Sequence, residues 1–447
     1  MLGIFNPNSA KTYYNLAHKQ RLWLCAKSTM NDPLLKMRDI SEEFMKFLSS
    51  ATAALLIGTA SIVAASAVPT EAYAQKKKGK KDKKGDDANA EPKASKGYAK
   101  VYGGAAAALE AGEPQAIKSS IQILKEASKT EADQYFTSRY QFIAARKSKD
   151  VSAQVQSLKE LIANPVTPPK TLTTFRSELA LLAFNELKDY QLAATHFQEL
   201  YRTGGANPSM AFNAGLAFSR INDHKNAILW TNKAIDAQTA AGQAVSEAWQ
   251  STKRNNWYNA ISPLRKDAYT DSLLNINYLR LLRVTDNMRF PSLFADYAEF
   301  GARFPSEVIA TFDEGFASGI ISKTDISFSE LYSEAKRNAR EINAKLSADE
   351  KDAANSPKGF LAMIAGDNLA STGQHARAIK MYELALQKGN IAGRDGVDQS
   401  DKVRLDLARA KIASGDKAGA KAEFAKLTNP KTKSLVEYWN LFLDTES

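Results

Sequence analysis

One cysteine, Cys25, stands in 447 residues. It lies upstream of a candidate export signal, so the mature chain is expected to have none. That excludes disulfides, cysteine nucleophiles and zinc–cysteine sites. Histidine is nearly as scarce. Only His196, His224 and His375 follow the signal, and no His-Glu-x-x-His or similar spacing puts two ligands on one helical face. Neither Gly-x-x-x-x-Gly-Lys-Ser/Thr nor Gly-x-Gly-x-x-Gly occurs, so nucleotide phosphates find no obvious cradle. Gly-x-Ser-x-Gly is missing too. Ser333-Glu334-Ala335-Lys336 and Ser414-Gly415-Asp416-Lys417 match Ser-x-x-Lys, but the companion Ser-Asp-Asn and Lys-Thr-Gly motifs do not occur. No catalytic residue, cofactor or metal is predicted, and the chain is expected not to be an enzyme.

What is present is charge in one place and helical periodicity nearly everywhere else. The net charge is +11. Residues 75–97 hold nine basic and four acidic side chains, so more than a third of the excess sits in a short tail. That segment has almost no apolar content and cannot bury enough surface to fold, so it reads as a disordered linker. Weak contact with an anionic membrane surface is the sharper reading. Aromatic residues interleaved with the lysines would favour nucleic acid; there are none, and no nucleic-acid partner is expected.

Upstream, residues 1–44 show no sustained period, and Glu42-Glu43 lies directly before an apolar run. A secretory signal begins with positive charge instead. Met45-Lys46, followed by apolar residues 47–68, has that layout. Met45 is therefore the expected start, with residues 1–44 an extension absent from the mature protein. Ala72-Tyr73-Ala74 and Ala65-Ser66-Ala67 both offer small residues for cleavage. Residues 45–74 thus read as a signal peptide cut near Ala74 or Ala67, and the protein as periplasmic. Seven lysines in residues 76–84 resist translocation. They keep open the alternative of an inner-membrane anchor at residues 47–68, although Ser49, Ser50, Gly58, Thr59 and Ser61 interrupt the run.

Residues 173–236 read as one helical hairpin written twice. A shift of 34 residues pairs Ala180 with Ala214, Leu182 with Leu216, Ala183 with Ala217, Phe184 with Phe218, Asp189 with Asp223 and Ala193 with Ala227. Small residues permit close helix approach, aromatic and leucine side chains fill the grooves, and each aspartate can cap the second helix. The pattern returns at Gly366, Leu369, Ala378, Tyr382 and Ala385 around Gly373-Gln374, and at Ala408, Ala420, Phe424 and Leu427 around Gly415-Asp416. Looser hairpins are predicted around Gly112-Glu113-Pro114 and around Lys147-Ser148-Lys149-Asp150. Two more are expected within residues 257–282 and 293–319. Ala335, Ala339, Ile342 and Leu346 mark one charged amphipathic helix over residues 331–356. Val436, Tyr438, Trp439, Phe442 and Leu443 supply an apolar final helix to cap the array.

A 34-residue period of paired helices resembles the tetratricopeptide repeat superfamily, here in an exported bacterial form. The resemblance implies an all-α fold, an α-solenoid of antiparallel hairpins wound into a superhelix after a disordered and signal-bearing N-terminus. Residues 98–330 would form the array and residues 357–447 a C-terminal repeat pair with its capping helix. It also implies a non-catalytic scaffold whose concave groove, lined by first helices, binds protein or peptide partners. Carried onto this chain, the groove-facing positions are Glu178, Leu182, Phe212, Asn213, Leu216 and Arg220, with Asp367, Asp406 and Arg409 in the C-terminal copies. The alternatives are a glycan- or peptidoglycan-binding lobe of a wall-acting complex, or a membrane-anchored adaptor.

Overall fold

The computed structural model describes residues 89–393 and 396–446. The expectations for residues 1–74, and for most of the lysine-rich linker, lie outside them. Nineteen α-helices and no strand occur among the described residues. None of these helices is long and apolar enough to cross a membrane. The residues form two compact units that divide between Ile221 and Asn222, inside the turn of the second clear repeat.

The unit of residues 89–221 holds α1 (Lys96–Ala111), α2 (Pro114–Ala127), α3 (Glu131–Lys147), α4 (Val151–Ala163), α5 (Pro169–Leu182), α6 (Tyr190–Thr203) and α7 (Pro208–Arg220). The linker's last residues, Lys96 and Gly97, already belong to α1, which Ser95 caps. Each helix packs on its neighbours in sequence, as an array of short-looped antiparallel hairpins requires. Tyr98, Leu109, Leu124 and Tyr140 form one core cluster. Tyr135, Leu158, Leu161 and Leu179 form the next. The buried Tyr140 hydroxyl donates to the Ala105 carbonyl at 2.9 Å, so its polar end is satisfied. After α5 the chain widens into a π turn at Ala183–Leu187. Phe184 sits in this turn, edge-on to Tyr190 at 5.3 Å and to Phe197 at 6.4 Å.

One turn recurs in both units and explains the repeat. The residue before the second helix is left-handed at Lys149, Lys188, Asn222, Gly373 and Gly415. The next residue opens the second helix, and the aspartates there cap it. Asp150, Asp189, Asp223 and Asp416 each accept the backbone N–H three residues on, at 2.8–3.2 Å.

The unit of residues 222–446 holds α8 (His224–Ala240), α9 (Glu247–Asp267), α10 (Ser272–Val284), α11 (Pro291–Phe300), α12 (Pro305–Ala317) and α13 (Ile326–Asn343). It continues with α14 (Leu346–Asn355), α15 (Phe360–Ser371), α16 (His375–Lys388), α17 (Ser400–Ala413), α18 (Lys417–Phe424) and α19 (Lys433–Thr445). The single amphipathic helix expected over residues 331–356 is in fact two, broken at Ala344-Lys345. Ala335 is buried in one hydrophobic cluster and Leu346 in another, and one straight helix does not serve both. Between α15 and α16 the backbones come close. A Cβ on Gly366 would lie 2.7 Å from the Tyr382 ring.

This unit does not stay an open row of hairpins. The final helix α19 packs against α8, α10 and α18, and α12 packs against α15. Trp257 on α9 lies edge-on to Tyr438 and Phe442 of α19, at 6.3 and 6.4 Å. The last helix therefore covers the unit's own first helices as well as the last repeat.

Candidate functional site

In residues 89–221 the predicted groove positions lie on α5 and α7. Asn207 caps α7 and Pro208 occupies its first turn, which suits proline's missing N–H. Ala211, Ala214, Gly215, Ala217 and Phe218 are buried, while Phe212, Asn213 and Leu216 are half-buried and Arg220 is exposed. Phe212, Leu216 and Arg220 follow each other at four-residue spacing, one stripe of the helix. On α5, Leu182 and Glu178 are likewise half-buried. Burial pushes the Glu178 carboxyl up, and Arg146, 3.2 Å away, opposes the shift.

The C-terminal positions have a different setting. Lys402, Asp406 and Arg409 share one face of α17, and all three enter a chain of alternating charge. The Lys402 ammonium donates to Asp367 at 2.7 Å and to Asp406 at 2.9 Å. Arg409 donates to Asp406 at 2.8 Å and to Glu307 at 3.2 Å. Arg280 forks onto Glu307 with contacts of 2.7 and 3.0 Å, and its own side chain is only 3% exposed. The Tyr297 and Tyr382 hydroxyls donate to Glu307 and Asp367 at 2.8 and 3.0 Å. Three carboxylates and three cations thus neutralise one another away from water, the condition under which buried charge is tolerated.

The pKa directions follow from that geometry. Burial works to raise the Glu307 carboxyl, but Arg280 and Arg409 hold it well below the ordinary range. Asp406 is lowered for the same reason, with Lys402 first among the opposing cations. Asp367 lies at the end of the chain, where burial prevails over Lys402 and raises it. Burial pushes the Tyr297 hydroxyl up to about 12, with the Glu307 charge adding to it.

Asp367 and Asp406 therefore present no free carboxylate to a groove, because helices of the same unit fill that space. Arg280 on α10 and Glu307 on α12 occupy the side of α17 that an open solenoid would leave to a partner. Beside this chain lies a cavity of about 510 Å³ walled by α10, α12, α17 and α19 and by the turn before α16. Asp406 and Arg409 line it, with Arg280, Arg283, Glu307 and Trp439. Sequence reasoning reached two of these six. Glu307 lies 102 residues from Arg409 in the chain, and only the fold brings them together. Among the described residues no cluster of histidine, cysteine or carboxylate has metal-binding geometry.

No protein-family model matches the chain, and no curated protein matches it. Among solved structures, it is similar to a tetratricopeptide repeat protein from Parabacteroides merdae ATCC 43184. That likeness covers 68% of this chain and 98% of the other, at 14% identity and a TM-score of 0.23, too low to carry an argument. The hairpins, their repeated left-handed turn and their capping aspartates stand on their own. The architecture is a succession of antiparallel helix hairpins. His224 and His375 fill the same position in it, each half-buried after the turn with an unpartnered Nδ1, and burial lowers both.

Proposed function

We propose that the protein is a non-catalytic scaffold that holds a protein or peptide partner against first-helix faces of residues 89–221. The observation that carries this reading is the stripe of Phe212, Leu216 and Arg220 on α7, with Leu182 and Glu178 on α5. Apolar side chains left half-covered and edged by polar groups suit a surface that recognises another chain, since anchors of this kind concentrate interface energy. Asn213 adds hydrogen-bonding capacity on the same helix.

The place of action is the bacterial envelope, reached through the signal at residues 45–74, with the lysine-rich segment as a spacer that touches anionic lipid weakly. This part rests on the order of charge, apolar run and small residues in the sequence. A mature protein whose mass begins near Val68 or Gln75 supports it; recovery of peptides from residues 1–44 overturns it.

The scaffold itself is tested by a photo-crosslinking residue at Leu216 of the full chain in the source cell. A defined protein crosslinked from Leu216, and lost on Leu182→Asp, is the expected result. Retention on peptidoglycan that survives high salt, with no protein crosslinked, would replace the scaffold with a glycan-binding lobe. Carbonate-resistant membrane association would make the chain an anchored adaptor.

A further inference from the structure

On α3 the first-helix face already has an occupant from the same chain. Counted back from the capping aspartates, Arg139 and Ile143 stand before Asp150 as Phe212 and Leu216 stand before Asp223. They therefore hold the same places on their helices, and both are half-buried. Residues 89–95, which precede α1, cross this place. The Arg139 guanidinium donates to the Glu91 carboxylate at 2.5 Å, and the Lys170 N–H, in the first turn of α5, donates to the Asn89 side chain at 3.4 Å. In sequence order the segment thus passes from the start of α5, over α3, to the start of α1, across the helices as a bound peptide would run.

The two ends of this segment are held very differently. Asp133, fully buried, accepts from the Ser95 N–H at 2.8 Å and from those of Lys129 and Thr130 at 3.2 Å. Breaking that end would strand a buried carboxylate, which is costly. Glu91 is 42% exposed within its ion pair, so solvent weakens the contact, and the Asn89 bond is longer than the usual range. Pro92 restricts the residue before it to extended backbone, so Glu91 gives up little freedom when it seats. Residues 89–94 can therefore lift away while Ser95 stays pinned.

We infer that residues 89–94 are a tethered occupant of the partner groove, and that the partner is an extended protein segment whose Asp or Glu carboxylate displaces Glu91 from Arg139. This rests on the scaffold reading of α5 and α7 and adds what the partner must carry. A guanidinium matches a carboxylate in two-point geometry. Ile143 lies one turn from Arg139 on the same stripe, and Leu182 and Leu216 follow on the next first helices, so the rest of the partner meets apolar side chains. A short tether keeps its occupant at millimolar effective concentration. A weak seat is then enough to exclude segments that lack the carboxylate.

The test adds a capped peptide, Asn-Ala-Glu-Pro-Lys-Ala, the sequence of residues 89–94, to the full chain, with a second peptide carrying Gln for Glu as control. Binding is read on the peptide's own resonances and on the Arg139 Nε–H resonance, assigned through Arg139→Lys. Glu91→Gln, an exposed position outside every helix, should by itself move the Arg139 resonance. In that variant the Glu peptide, at about 10 mM, should return the resonance toward its wild-type position, and the Gln peptide should not. The wild-type chain should bind the Glu peptide about three- to tenfold more weakly, because its own Glu91 competes. An Arg139 resonance indifferent to Glu91→Gln overturns the inference, as does failure of the Glu peptide to bind the variant. Equal affinity of the two peptides, or of the two chains, overturns it too. In the source cell, a photo-crosslinking residue at Ile143 should capture the protein found from Leu216 in higher yield from Glu91→Gln than from the wild type; equal yields overturn the displacement. Capture from Leu216 together with any of these negative results leaves the scaffold standing and removes this inference alone.

Discussion

Residues 89–221 and 222–446 begin from the same hairpin and place charge in opposite ways. In the first unit the ion pairs among the described residues lie where water reaches them; Arg146, paired with Glu178, keeps 53% of its side chain exposed. Its interior is mostly alanine, leucine and aromatic residues, and the carboxylate buried there, Asp133, accepts from the backbone N–H groups of Ser95, Lys129 and Thr130 instead of pairing with a cation. In the second, Lys402 and Asp406 meet at 7% and 1% exposure, and six further charged or phenolic groups join them. The hairpins do not cause this difference. Later helices of the second unit fold back across first-helix faces, and charges that an open row would leave in solvent must then find one another.

The largest expected contrast comes from removing one carboxylate from each setting. Glu307→Ala should destabilise the protein by about 3–5 kcal/mol, because Arg280 and Arg409 are left buried without their counter-charge. Glu178→Ala should cost about 0–1 kcal/mol, since its partner is half in water. Denaturant titration of both variants checks this, and equal losses would break the comparison.

Acid should separate the same two residues by sign. Glu307 is lowered on folding, so its contribution is complete above its unfolded value of about 4.3 and is lost as pH falls through the folded value. The penalty of Glu307→Gln should therefore be full at neutral pH and shrink below about pH 4. Glu178 is raised on folding, so its ionised form is disfavoured in the native state. Glu178→Gln should be neutral or slightly stabilising at pH 7, with that gain vanishing as the wild-type carboxyl protonates in acid. Stability curves from pH 3 to pH 7 (roughly the carboxylate range) read both.

Glycine sharpens the contrast at intermediate size. Gly366→Ala drives a methyl into the Tyr382 ring and should cost about 1–3 kcal/mol, as overpacking does. Gly103→Ala in α1 meets nothing within 4 Å and should stabilise by about 0.5–1 kcal/mol through helix propensity. Thermal melts suffice for both. The smallest difference is expected at the caps. Asp189→Ala and Asp416→Ala should each cost about 1 kcal/mol, nearly alike, because the turn they close is common to both units.

The helices and their turns were legible in the sequence because their causes are local. Asp189, Asp223 and Asp416 announce caps, and Gly373 and Gly415 supply left-handed backbone at the matching place. Ala214 and Gly366 mark close helix contacts before any contact is seen. The break at Ala344-Lys345 was not legible, since both residues favour helix and the interruption answers to two separate cores. Nor was the charge chain. Asp406 and Arg409 could be placed on one face of α17, but nothing nearby in sequence says that Arg280 and Glu307 cover that face. Trp439 read as core packing, which it is.

The desolvated charge chain is the point at which the second unit departs from an open repeat array, and a double-mutant cycle on Arg280→Met and Glu307→Gln addresses it directly. Stability of the full chain and its three variants, measured in denaturant, should give a coupling above about 1.5 kcal/mol, as expected of buried groups in one network. Losses that add to within about 0.5 kcal/mol would mean that these side chains meet water separately, and that residues 222–446 do not fold back on α17.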